Sequence, residues 1–100
     1  MGPLRKEAKP IASANDRNEQ RRAYEQAKET YQKAVILEQA VLVLQAANSG
    51  VRVLSKIEAV RQELLHDYAE QRTLLSYLDL GLRVKLAPEL PEPKEVNENQ

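Results

Sequence analysis

The chain contains no cysteine, no tryptophan and no phenylalanine. Without cysteine there is no disulfide framework, no thiolate nucleophile and no sulfur-ligated zinc, and the compartment stays unread. Four tyrosines are the only aromatics, a thin supply for filling an independent globular core. His66 is the only histidine, which excludes a metal site built on several histidines and a two-histidine acid–base pair. No Gly-rich phosphate loop, Ser/His/Asp set or nucleophile elbow is present. Nothing reaches the roughly 18 uninterrupted apolar residues of a membrane span. Arg5, Lys6, Glu7 and Lys9 precede no apolar run, so they do not read as a signal peptide. These absences lead us to expect a protein that is not an enzyme and has neither cofactor nor metal.

Charge of one sign is lacking too. Fifteen basic residues balance fifteen acidic ones, so no net field draws the chain to nucleic acid or an anionic membrane. The balance hides a gradient: residues 1–34 carry eight Lys/Arg against five Asp/Glu, and residues 88–100 carry one against four. What is abundant is Ala, Leu, Val, Glu, Gln, Lys and Arg, the composition of long helices packed side by side.

Residues 1–12 hold Gly2, Pro3 and Pro10 without any period, and read as a disordered lead. Helix signals begin at Ser13, which can cap with Asp16 three residues later, or at Asn15. No Gly or Pro occurs from Asp16 to Asn48. Tyr24, Ala27, Tyr31, Ala34, Leu37, Val41 and Leu44 recur at steps of three and four, one face of a helix. Its first half is polar, whereas residues 35–47 hold ten apolar side chains in thirteen. That change predicts a helix lightly covered at its start and enclosed by several neighbours at its end.

Asn48-Ser49-Gly50 is the one interior turn signal, with Gly50 expected in the left-handed conformation that ends a helix. A second periodic run continues through Leu54, Ile57, Arg61, Leu64, Tyr68, Gln71, Leu75, Leu78 and Leu82, widened by Leu65, Leu74 and Leu80. Pro88, Pro91 and Pro93 stop it and leave a Pro/Glu-rich tail, expected to be disordered over 88–100. The fold expected is all-α: a long antiparallel two-helix hairpin, about 14–48 and 51–86, within a helical domain spanning 13–87. The rival is one continuous helix running through Ser49-Gly50, since an interior glycine costs only about 1 kcal/mol.

A lone hairpin covers one stripe of each helix and would leave much of 35–47 wet. Self-association into a four-helix bundle, with a dimer favoured, is the simplest remedy. The interface residues expected are Val35, Ile36, Val43, Leu54, Ile57, Leu64, Leu75 and Leu78. The resulting function is a helical assembly module that also presents a face to a partner protein, whose identity the sequence does not give.

Chemical alternatives are few. His66-Asp67-Tyr68 on a leucine-rich helix resembles the phosphoacceptor helix of sensor histidine kinases and phosphotransfer proteins, where a carboxylate orients the imidazole for attack on phosphorus. Glu70 and Arg72 stand where that pattern carries an Asn or Gln and an apolar residue. Glu25 with Glu29, and Glu63 with Asp67 and Glu70, read as solvated faces, with Glu29 and Lys33 in the favourable i, i+4 order. Arg17, Arg21, Arg22 and Lys28 are the only basic cluster, and Asp16, Glu19 and Glu25 among them argue against nucleic acid. Tyr24, Tyr31, Tyr68 and Tyr77 are expected at seam edges, rings packed and hydroxyls reaching water.

The strings Leu37-Glu38-Gln39-Ala40-Val41, Gly50-Val51-Arg52, Ile57-Glu58-Ala59, Tyr77-Leu78 and Leu82-Arg83-Val84-Lys85-Leu86-Ala87 fall in that order. From Leu37 to Ala87 the chain thereby resembles the last helical segment of the TolC-like outer-membrane efflux proteins, with one residue fewer between Gly50 and Ile57. The family's β-barrel strands have no counterpart here. The resemblance therefore implies a periplasmic helical fragment that packs against adaptor hairpins or its own repeats.

Overall fold

A computed structural model describes residues 14–93. Two long helices, α1 (Ala14–Ala46) and α2 (Val51–Leu80), pack against each other along one seam as a helical hairpin, and a short 3-10 turn comes after them at Ala87–Glu89. The body measures 71 × 24 × 19 Å. Its radius of gyration, 18.8 Å, far exceeds the roughly 12 Å of a compact domain this size, as a rod of two helices requires. The lead expected over 1–12, the Ser13 cap and the tail beyond residue 93 lie outside the described residues.

The chain reverses at 47–50, and the continuous helix is not formed. Asn48, rather than Gly50, takes the left-handed conformation, with φ 64°. The Ser49 N–H bonds the Leu44 carbonyl at 2.9 Å and the Asn48 N–H bonds that of Gln45 at 3.0 Å, which satisfies two of the free carbonyls ending α1. Asparagine tolerates this backbone because its short amide makes local hydrogen bonds. Gly50 is extended, φ −71° and ψ 157°, and forms the N-cap of α2 with no side chain to offer.

The seam on α1 runs through Gln20, Ala23, Ala27, Thr30 and Ala34, all buried, then through the half-buried Leu37, Val41 and Leu44. These steps of three and four match the face expected, displaced slightly toward the smaller residues. Small side chains here let α2 approach closely, and Tyr68 and Leu75 fill the space, both fully buried. Thr30 is buried without penalty because its hydroxyl donates to the Gln26 carbonyl at 3.0 Å.

α2 ends at Leu80, six residues before the expected boundary, and the chain turns at Gly81. The segment beyond this turn is not a loose tail up to residue 93. Ala87 and Leu90 are buried in the same core as Tyr68 and Leu75, with Leu86 packed against it. The Tyr68 hydroxyl donates to the Pro91 carbonyl, and Arg72 reaches the Leu90 carbonyl at 3.3 Å and the Glu92 carboxylate at 3.6 Å. Tyr68 thus contradicts the expectation of a wet hydroxyl, whereas Tyr77 is exposed.

The returning segment also reverses the expected distribution of cover. The polar first half of α1 is the packed half, and the apolar second half is the open one. Two helices bury only the stripe along their seam. The third layer, which could have covered more, is laid by the prolines and Leu90 onto the opposite end of the rod.

Candidate interaction surface

Among the described residues, six of the ten large apolar side chains that are exposed lie at the turn half of the hairpin, and the other four, Leu74, Tyr77, Leu80 and Val84, lie at the open end. Ile36 and Val43 on α1 are 61% and 66% exposed, and Val53 and Val60 on α2 are 47% and 48% exposed. Leu42 and Val51 add to them beside the turn. Each of the first four residues sits one position before a seam residue: Leu37, Leu44, Leu54 and Arg61. In two antiparallel helices, positions with the same offset from the seam emerge on the same side of the pair. Ile36, Ala40 and Val43 therefore share one broad face with Val53, Ile57 and Val60.

The limits of that face coincide on the two helices. Gln20 pairs with Asp79 and Tyr31 with Tyr68, so residue numbers level with each other add up to about 99. Ile36 is then level with Leu64, and Ala47 with Val53. One step further from the turn, both stripes become charged at the same height, at Lys33 on α1 and Asp67 on α2. Beyond it the face of α1 is polar and exposed through Glu29, Gln26 and Arg22. The result is an apolar patch over residues 36–47 and 53–64, which on α2 is followed, beyond Asp67 and Gln71, by the half-exposed Leu74, one position before the seam residue Leu75.

The opposite face at this end is mixed. Its groove is lined by Gln45, Ser55, Glu58 and Gln62 together with Val41, Val51, Leu54 and Ala59. Glu58 there accepts from Gln62 at 2.7 Å and from Arg61 at 3.3 Å.

The expected interface residues divide accordingly. Ile36 and Val43 lie fully on the apolar face, and Ile57 and Leu64 lie half-buried at its edge against the seam. Leu54 is half-buried in the seam itself, and Val35 lines a small cavity between the helices with Tyr31, Arg61 and Tyr68. Leu75 cannot serve as an interface residue, because it is fully buried inside the chain's own core, and Leu78 packs against that core. Sequence reasoning misses Val53 and Val60, although their spacing is visible. With Ile57 and Leu64 they make steps of four, three and four, a second stripe hidden beneath the stronger seam.

The other candidate chemistry is scattered. His66 is exposed, its Nε2 3.3 Å from the carboxylate of the equally exposed Glu70. Among the described residues, no group of three His, Cys, Asp or Glu side chains could hold a metal ion. No helix among them is long and apolar enough to cross a membrane. Burial raises the Tyr68 hydroxyl above its ordinary pKa near 10, with Arg72 opposing the shift. No protein-family model, curated protein or solved structure matches this chain.

Proposed function

We propose that this chain is a non-enzymatic helical assembly module, a hairpin that self-associates through the apolar face at its turn end. The observation that carries this reading is the coincident boundary: both helices switch from apolar to charged at one level, Lys33 and Asp67. A contiguous exposed apolar patch rimmed by charge marks an interaction site. The chain's zero formal charge removes the general repulsion that would oppose contact between copies.

The test uses Val43→Asp. Val43 is two-thirds exposed, so a carboxylate there leaves the single hairpin folded but places a charge in the contact. The variant should keep its helical circular dichroism and elute as a smaller species than the parent. Parent and variant eluting alike at every concentration would overturn the proposal.

A further inference from the structure

We propose that the occupant of this face is a second copy of the chain, laid antiparallel with only the turn halves overlapping. This rests on the self-association reading and adds its geometry. A two-fold axis between Ala40 and Val43 on α1 crosses α2 between Ile57 and Val60, at the same level to within one residue. It sets Ile36 against the partner's Ala47, Ala40 against the partner's Val43, and Ile57 against the partner's Val60. Val53 then meets the partner's Leu64, so every opposed pair on the face is apolar. Sliding the copies to full overlap instead places Ile36 on Gln26 and Val43 on Glu19 along α1, burying polar groups without partners there, while along α2 it sets Leu64 on Leu74 and Val60 on Leu78.

The charges at the rim fit the same register. One step beyond the overlap, Asp67 lies over the amino end of the partner's α2, and Lys33 over the carboxyl end of the partner's α1. Those are the helix ends left uncompensated within one chain: α2 has no acid in its first turn and no side-chain cap at Gly50, and α1 has no base in its last turn. An acid at an amino end and a base at a carboxyl end both have the stabilising sign.

The face extends about 17 Å along α1 and about 20 Å across two helices, a projected area of roughly 340 Å² per copy. Both copies together bury roughly 700 Å² in projection, below the roughly 1,200 Å² at which stable specific interfaces begin, so the association is weak, reversible and concentration-dependent.

Because the chain has no cysteine, the register can be read by cross-linking. Ile36→Cys and Ala47→Cys are prepared separately, checked for association by light scattering, then mixed and oxidised. The mixture should give a covalent dimer well above either variant alone, since two copies of Cys at 36 lie about 16 Å apart in this register. Asp67→Asn should weaken association about fivefold with unchanged helicity. Association without preferential 36–47 cross-linking would overturn the register and leave self-association standing. Monomers at every concentration would overturn both.

Discussion

Gln20 and Asp79, 59 residues apart in sequence, meet inside the open end of the hairpin with Gln20 Nε2 donating to Asp79 Oδ1 at 2.6 Å. The same amide nitrogen donates to the Val84 carbonyl at 2.6 Å, and the other Asp79 oxygen accepts the Ala87 N–H at 2.8 Å. One buried carboxylate thus ties α1, the end of α2 and the returning segment together. Asp79→Ala leaves one N–H of the Gln20 amide and the Ala87 N–H without partners, and should cost about 2–4 kcal/mol. Urea denaturation measures it. A double-mutant cycle with Gln20→Ala should show strong coupling, because each single change already breaks the shared bond.

The segment after α2 gives a prediction that separates a packed strap from a loose tail. Leu90 is 6% exposed beside Tyr68 and Leu75, so Leu90→Ala should destabilise by about 2–3 kcal/mol. A disordered tail would give no change in the urea midpoint.

Tyr68 makes stability depend on alkaline pH. Its hydroxyl is raised above 10 in the folded chain, chiefly by burial. Above about pH 10 the unfolded chain therefore loses this proton before the folded chain does. Unfolding releases a proton there, so stability, complete below pH 10, falls as pH rises toward the folded value. Tyr68→Phe removes the bond to the Pro91 carbonyl and should lower stability at pH 7 by about 1 kcal/mol. It should also flatten the alkaline fall, measured by urea midpoints from pH 8 to 11.

At the turn, the two small residues have different jobs. Among the described residues Asn48 alone holds a positive φ, so Asn48→Val should cost about 1–2 kcal/mol and Asn48→Gly little or nothing. Gly50 is extended, with open space where a Cβ would stand. Gly50→Asp should stabilise by up to about 1 kcal/mol, supplying the cap and the acidic first-turn charge that α2 lacks. Thermal melts of the three variants check the order.

Local chemistry makes the hairpin legible. The run without Gly or Pro, the spacing from Tyr24 to Leu44 and the Asn48-Ser49-Gly50 break suffice for two helices and a turn. The distribution of cover is not legible, because it is set by contacts distant in sequence. Nothing local to Gln20 or Asp79 announces that they pair, and the prolines from Pro88 on look like disorder until Leu90 finds Tyr68. Leu75 reads as an interface residue for the same reason. Its seam position is readable, but whether that seam faces α1 or another molecule depends on the returning segment. Of the apolar face, Ile36 and Val43 stand out in the sequence as apolar residues outside one seam. Val53 and Val60 do not, because Leu54, Ile57 and Leu64 already satisfy the heptad count.

The central claim is that the face over residues 36–47 and 53–64 is covered by another copy, and molecular mass in solution tests it most directly. Light scattering across a tenfold concentration range should show mass rising from that of one 11.4 kDa chain toward twice that value. A mass fixed at one chain throughout, in a protein that remains helical, would contradict the account.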